Sequence, residues 1–341
     1  MIISRTPFRI SFFGGGTDYP SWYLKHGGSV LASTIDKYCY LTCRYLPPFF
    51  EHRIRVVYRK IESCQTFEEI SHPAVREIMR YLNINRGVEI HHDGDLPARS
   101  GMGSSSSFTV GLLNALHALL GHMPSKHKLA QEGIHIEQNC IKEIVGSQDQ
   151  VSAAYGGLNH ISFLPNGEIS VRPVTISTGI IRTASNIAES YVIDIDSRRR
   201  QLRIMKDLVD EGLSILSNGD DITNLGKLMR EAWDSKRSLS AKVTNTQVDE
   251  LYNQALSAGA LGGKLTGAGG GGFMLLFIPP SEQKNVRQRL SKLIHVPFNF
   301  EFSGSQIIFF DSEEDYADIE KERSKQSIQS FQELSCGQMS Q

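Results

Sequence analysis

Leu96-Pro97-Ala98-Arg99-Ser100-Gly101-Met102-Gly103-Ser104-Ser105-Ser106-Ser107 runs straight into Phe108 to Leu120, whose apolar residues recur at helical spacing. Glycines let backbone N–H groups come close to an anion. The start of the helix that follows adds about half a positive charge and several N–H groups without intrahelical partners. Loop then helix therefore reads as a phosphate cradle, and a loop serine hydroxyl can also serve a hard cation such as Mg2+. Read alone, the same residues would also suit a flexible Gly/Ser linker or a serine cap with no ligand.

Two familiar nucleotide motifs fail here. Gly101-x-Gly103-x-x-Ser106 approaches the dinucleotide fingerprint, but that motif wants an acidic residue about 20 positions on, and no Asp or Glu occurs between Gly103 and Gln131. Gly262-Gly263-Lys264-Leu265 lacks the Ser/Thr that must follow the lysine of a Walker A loop, and Ala258 stands where its first glycine belongs. That second cluster still runs through Thr266-Gly267-Ala268-Gly269-Gly270-Gly271-Gly272 into an apolar strand. Glycines against a buried strand point to close backbone approach rather than idle flexibility.

Upstream, Ile2 to Phe13 reads as strand and ends at Gly14-Gly15-Gly16. Val30 to Tyr45 and Arg53 to Tyr58 are strand-like, His72 to Leu82 suits a helix, and Val88 to Leu96 a strand. A helix is expected over Lys126 to Glu143, a turn carrying Asp149, and a strand over Leu158 to Phe163. Near Pro165 to Pro173 the composition turns polar, marking passage into a second α+β lobe of ferredoxin-like character. Its expected order is strand (Val174 to Ser177), a long helical region (Ser197 to Ala241), helix (Gln247 to Ala258), strand (Gly272 to Ile278), helix (Ser281 to Leu293) and strand (Phe298 to Phe302). From about Glu320 a polar tail is expected.

At 341 residues the chain can bury a substantial core. With 36 Lys and Arg against 37 Asp and Glu it has no net field for nucleic acid, so a small-molecule partner is expected. Five scattered cysteines do not make a disulfide framework, and Cys39 and Cys43 lack a second pair at zinc spacing. The first residues lack an export signal, and the apolar stretch Phe273 to Ile278 is far short of the roughly 20 residues that cross a bilayer. A cytoplasmic chain with no membrane partner is expected, with a homodimer left open.

Taken in order, three segments resemble the GHMP kinases, the family of galactokinase and of homoserine, mevalonate and phosphomevalonate kinases. They are Thr6-Pro7-Phe8-Arg9-Ile10 through Gly14-Gly15-Gly16-Thr17-Asp18-Tyr19, then Pro97 to Ser105, then Lys264 to Gly272, a match spanning about residues 5 to 280. The resemblance implies an α+β, two-lobed GHMP kinase fold. Residues 1–170 would form an N-terminal lobe like the second domain of ribosomal protein S5 and hold the phosphate loop. Residues 171–320 would form the ferredoxin-like C-terminal lobe, and 321–341 a peripheral tail.

The resemblance also implies ATP and Mg2+ as cofactors. Asp149 would be the catalytic base, and Arg9 would polarise the acceptor hydroxyl or stabilise the moving phosphoryl group. Ser105 and Glu137 would hold the metal. Gly101, Met102, Gly103, Ser104, Ser105 and Ser106 would wrap the ATP phosphates, with Gly267, Ala268, Gly269 and Gly270 completing the nucleotide site. Gly15, Gly16, Thr17, Asp18 and Tyr19 would bind the acceptor; apart from the resemblance, Arg182, near Gly179 after a strand, is the cation expected to meet a substrate phosphate. Where galactokinases place Glu-His, this chain has Gly15-Gly16, which opens the pocket to a longer, phosphorylated sugar. The segments Gly14 to Pro20, Gly101 to Phe108 and Leu265 to Phe273 look most similar to the D-glycero-D-manno-heptose 7-phosphate kinases, which act on the anomeric hydroxyl on the route to nucleotide-activated heptose for surface glycans. Arg44, Arg182 and the Arg198-Arg199-Arg200 run are available for a substrate phosphate.

Overall fold

Ile2–Phe13 (β1) is a buried strand interrupted by a proline, and its neighbour is an 18-residue strand, Gly28–Tyr45 (β2), rich in β-branched and aromatic residues. The two run antiparallel along nearly their whole length, with a register shift between Pro7 and Phe8. Pro7 has no N–H to give a ladder, so a bulge is where a strand tolerates it. In this computed structural model the described residues are 1–97, 101–174, 199–218, 221–240, 243–266, 273–312, 316–323 and 325. The expected site residues Gly179, Arg182, Gly267, Ala268, Gly269 and Gly270 lie outside them.

β2 is the spine of a nine-stranded sheet. Its second half pairs with Val88–Gly94 (β5), which pairs in parallel with Ile54–Val57 (β3), and β3 pairs with Ile61–Cys64 (β4). Its first half pairs with Leu158–Phe163 (β6), itself paired with Ile169–Pro173 (β7). Packed across β1 and β2 lies Ser104–Leu119 (α3), buried without a break from Ser106 to His117. A helix apolar on every side belongs inside a core. The approach is close: Ser4 Oγ donates to the Gly111 carbonyl, and a Cβ at Gly111 would lie 2.7 Å from Thr6 Oγ1. Pro20–His26 (α1), Pro73–Tyr81 (α2), Lys126–His135 (α4) and Gln148–Tyr155 (α5) complete this lobe.

In the second lobe Arg199–Asn218 (α6), Thr223–Arg237 (α7) and Thr246–Ser257 (α8) accompany a two-stranded sheet of Gly262–Leu265 (β8) and Met274–Phe277 (β9), with Gln283–Arg289 (α9) beyond. The helical region expected over Ser197 to Ala241 is thus two helices.

Three expectations change. The helix expected to reach Glu143 ends as an α-helix at His135 and continues as one π-type turn, Ile136–Cys140, closed by Ile141 N–H to the Ile136 carbonyl at 2.9 Å. Asp149 stands in the first turn of α5, not in a turn before it. The chain beyond residue 299 leaves the second lobe and rejoins the first: Phe300–Glu301 (β10) pairs with β2, and Gln306–Phe310 (β11) pairs with β1. Ala317–Arg323 (α10) then docks on the first lobe, where Glu320 Oε2 accepts from Arg53 at 2.7 Å and its Oε1 from Gly87 N–H at 3.2 Å.

The turn after β1 depends on Gly14, whose φ is +79° and whose Cβ would lie 1.8 Å from the Ser29 carbonyl oxygen. Gly14→Ala is expected to destabilise the chain by about 2–4 kcal/mol, because an L side chain is strained there and meets backbone that cannot yield. Chemical denaturation measures it, and a loss under about 0.5 kcal/mol would mean that the turn relaxes.

Candidate active site

β1 carries Arg9 inward, and its outer edge is covered by β11 only as far as Arg5. Beyond that the glycine loop takes over, and Arg9 N–H donates to the Met102 carbonyl at 3.0 Å. The guanidinium of Arg9, with a side chain only 6 % exposed, then meets three acceptors. Nε and Nη2 donate to the two oxygens of Asp149 at 2.7 and 2.6 Å, and Nη1 donates to the Gly101 carbonyl at 2.7 Å. This two-point grip fits the planar fork of arginine and would not be reproduced by lysine. Gly101 and Gly103 both take positive φ, and a Cβ at Gly103 would stand 3.3 Å from Arg9 Cγ and from Asp149 Oδ2. Both glycines are therefore needed for the turn, and Gly103 also for the room that the ion pair occupies.

No side chain caps the start of α3, whose N-cap is Gly103. Ser104, Ser105 and Ser106 follow in its first turn and line a cleft of about 870 Å³ between glycine loop, first turn and second lobe. Ser106 Oγ donates to Glu137 Oε2 at 2.9 Å, and Gln150 Nε2 donates to the same oxygen at 2.5 Å. Glu137 is fully buried in the π-type turn and its Oε1 has no hydrogen-bond partner. Burial pushes its carboxyl up to about 7, against smaller opposing effects of Thr109, Ser106 and Gln150. An orphaned carboxylate oxygen beside serine hydroxyls is a donor set that suits Mg2+, which takes one or two carboxylates and completes its shell with water and substrate phosphates. The exposed Ser105 hydroxyl faces the same cleft.

At the other side lies the Gly14-to-Tyr19 turn. Asp18 is buried, accepting from Gly16 N–H at 2.8 Å and Gln148 N–H at 3.3 Å. Its carboxyl is raised above the ordinary range, by burial first and then by the charge of Asp149. Gly15, Gly16, Asp18 and Tyr19 all line the cleft. Thr17 and Met102 do not. The Thr17 hydroxyl is within 2.8 and 2.9 Å of the Gly14 and Ser29 carbonyls and accepts Ser29 N–H at 3.0 Å, so it shapes the turn. Met102 is buried and contributes its carbonyl to Arg9.

Sequence reading missed two lysines. Lys236 on α7 and Lys264 on β8 are buried and line the cleft. Burial, aided by the Arg9 charge, pushes Lys236 down to about 7, and Lys264 falls well below its ordinary value by burial and the charge of Lys236. Their signal was present: Lys236 follows Leu225, Leu228, Met229, Ala232 and Trp233 on the apolar face of its helix. Arg44, offered for a substrate phosphate, instead pairs with Glu89 and does not line the cleft. Beside the glycine loop, His72 stacks on Phe108 with centroids 4.7 Å apart, and His92 meets the same ring edge-on at 5.1 Å.

Comparison with known proteins gives the family of the chain. The model of the GHMP kinases N terminal domain matches residues 69–157, and that of the GHMP kinases C terminal matches residues 208–295. A Campylobacter jejuni D-glycero-alpha-D-manno-heptose 7-phosphate kinase is 27% identical over 321 residues, which cover 85% of this chain and 93% of the relative. A bifunctional fucokinase/GDP-fucose pyrophosphorylase of Arabidopsis thaliana is 26% identical over 335 residues, 86% of this chain and 31% of that much longer protein. The crystal structure of a D-glycero-D-manno-heptose 1-phosphate kinase from Bacteroides thetaiotaomicron superposes with a TM-score of 0.75 at 22% identity, covering 92% of this chain and all of that one. The chain belongs to the GHMP kinases, phosphotransferases with an alcohol group as acceptor. No described helix is long and apolar enough to cross a membrane.

Glu137 yields a stability signature independent of turnover. Its folded value of about 7 lies above the ordinary 4.5, so the stability tied to its proton is full below about 4.5 and is lost as pH rises to 7. Wild type is expected to lose up to about 3 kcal/mol across that window, at roughly 1.4 kcal/mol per pKa unit, and Glu137→Gln to lose that part of the slope. Mg2+ should stabilise wild type at pH 8 and leave Glu137→Gln unmoved. Identical pH profiles of denaturation in the two proteins would contradict the buried-carboxylate assignment.

Proposed function

We propose that this chain uses ATP and Mg2+ to phosphorylate the anomeric hydroxyl of a sugar phosphate of the D-glycero-D-manno-heptose 7-phosphate kind, in the cytoplasm. The observation that carries the reading is the Arg9–Asp149 pair held under Gly101 and Gly103 at the open start of α3. It places a cation and a carboxylate together beside the phosphate cradle. The heptose acceptor is supported by the relative of that activity, which aligns over most of both chains, and by the room left at Gly15 and Gly16.

In this reading the start of α3 receives the ATP phosphates, and Ser105 and Glu137 hold Mg2+, which when bound neutralises phosphate charge. The rings of His72 and His92 on Phe108 offer a stacking surface for the base. Asp18 orients sugar hydroxyls. Asp149 accepts a hydrogen bond from the attacking hydroxyl and takes its proton, while Arg9 steadies the carboxylate and stabilises charge on the phosphoryl group in flight. An anomeric hydroxyl is more acidic than an ordinary alcohol, and phosphoryl transfer is largely dissociative, so alignment contributes as much as basicity.

Asp149→Asn is expected to lower kcat by about 10²–10⁴-fold, and because Asn leaves the Arg9 fork one acceptor instead of two, stability and both ligand affinities are measured beside kcat so that the loss of the base is separated from the loss of the pair. Near-normal kcat would remove Asp149 from the chemistry, and lost binding with residual turnover would make it a positioning residue. The acceptor itself is tested by coupled ADP release over a panel of sugars and sugar phosphates. Preference for heptose 7-phosphate is the expected outcome, whereas equal kcat/KM on an unphosphorylated fucose or galactose would move the assignment to those sugars.

A further inference from the structure

Of the three glycines that follow β1, Gly14 and Gly16 take positive φ, and Gly15 does not. A side chain at Gly15 would also meet no backbone. Apart from its chain neighbours, the only described atoms within 4 Å of where its Cβ would stand are Ser11 Oγ at 3.4 Å and Gln148 Nε2 at 3.6 Å. Neither the turn nor a clash therefore calls for glycine at this position. The place opens on the cleft, which Ser11, Gly15 and Gln148 all line. Ser11, 6 % exposed on β1, has no hydrogen-bond partner for its hydroxyl among the described residues, and Gln148, 9 % exposed at the start of α5, has none for its side-chain oxygen. Gln148 is held through its backbone, whose N–H donates to Asp18 Oδ2 at 3.3 Å. Two buried polar groups without partners destabilise the unliganded protein, and both border one open place.

We propose that Ser11 and Gln148 read a hydroxyl group of the acceptor, seated where a side chain at Gly15 would otherwise stand, and so determine which sugars the cleft accepts. This rests on the reading of the chain as a sugar kinase whose acceptor lies beside the Gly14-to-Tyr19 turn. A ligand oxygen displaced by about half an ångström from the Cβ position toward either group comes within hydrogen-bond distance of it. The chemistry selects a hydroxyl. It donates and accepts at once, as a serine hydroxyl does, and a carboxamide offers an NH2 donor and a carbonyl acceptor on an end that turns. Both neighbours are neutral, so an anion would find no described countercharge within 4 Å of the place. The position also suits alignment: Gln148 precedes Asp149 on one turn of α5, and Ser11 follows Arg9 by two residues on one face of β1. A hydroxyl held by this pair is registered against the groups that act on the attacking oxygen.

The test changes substrate and protein in turn. Coupled ADP release is measured on D-glycero-D-manno-heptose 7-phosphate, fucose and galactose, and the best of these is compared with each of its monodeoxy forms, the reacting hydroxyl excepted, in wild type, Ser11→Ala, Gln148→Met and Gly15→Ala. In wild type one deoxy form is expected to lose about 10–100-fold in kcat/KM. In Ser11→Ala and in Gln148→Met the loss for that form alone should shrink by about 5-fold or more, because the group it would have bonded is gone, while the other deoxy forms keep their wild-type ratios. Gly15→Ala should raise KM for the intact sugar by about 10-fold or more, with an unchanged denaturation midpoint, because its methyl group takes the place of the hydroxyl and meets only ordinary contacts.

The wild-type series is decisive even if a variant does not fold: no deoxy form losing more than about 3-fold would overturn the proposal. Equal losses on every form in Ser11→Ala and Gln148→Met would overturn it too, by giving the two residues a structural role. Turnover of fucose or galactose without turnover of the heptose phosphate would overturn only the heptose acceptor, and the deoxy series of the working sugar then decides the role of Ser11 and Gln148. Turnover of none of the three would overturn the sugar acceptor and this proposal with it.

Discussion

The ion pair of Arg9 with Asp149 is the constraint on which the cleft depends. A guanidinium does not give up its proton inside a protein, so its burial demands acceptors for a permanent charge. Asp149 supplies two and Gly101 a third, while the backbone of the same residue holds Met102. One residue of β1 thereby fixes the glycine loop and the first turn of α5, which lie far apart in the chain. The geometry propagates: the pair occupies the space that a side chain at position 103 would need, and Asp18 fills the space beside Gly146, where a Cβ would lie 1.9 Å from its Oδ2. Glycine at 103 follows from the Arg9–Asp149 pair and glycine at 146 from the buried Asp18 carboxylate.

The same cleft holds groups whose charged forms burial disfavours. Asp18 and Glu137 are raised, Lys236 and Lys264 lowered, and burial is the first cause for all four. A core selected for stability alone would replace such groups with apolar ones of similar size. Their retention is what a site that stabilises moving charge requires, because dipoles and charges already fixed in a dry cleft need no reorganisation when charge develops. The cost falls on the unliganded protein.

Local patterns made much of the first lobe legible. Apolar and β-rich composition marks β1 and β2, alternation marks Arg53 to Tyr58, and apolar residues at helical spacing mark α3, because burial acts on each segment by itself. The carboxylates and Arg9 were legible as chemistry, and their meeting was not, since Arg9 and Asp149 are 140 positions apart. Two features escaped for physical reasons. The return of β10 and β11 to the first sheet is a choice of long-range partner that no local period encodes. The π-type turn at Ile136–Cys140 inserts a residue into a helical pattern and turns Glu137 inward, where a charged residue at an ordinary helical position reads as solvent-facing. Lys236 was legible in principle, as a cation on an apolar face.

That return of the chain also bears on how the two lobes work as one site. β10 begins at Phe300 on β2, so the described chain passes from the second lobe straight onto the sheet of the first. Side chains reinforce the anchoring: Lys264 reaches the Phe12 carbonyl, and α6 approaches so closely that a Cβ at Gly212 would stand 2.8 Å from the Phe13 ring. A rigid rotation of the whole lobe would break a buried charged hydrogen bond and part a packed aromatic contact together, each with its own cost. Lys264 and Gly212 thus tie the second lobe to β1, the strand that also carries Arg9.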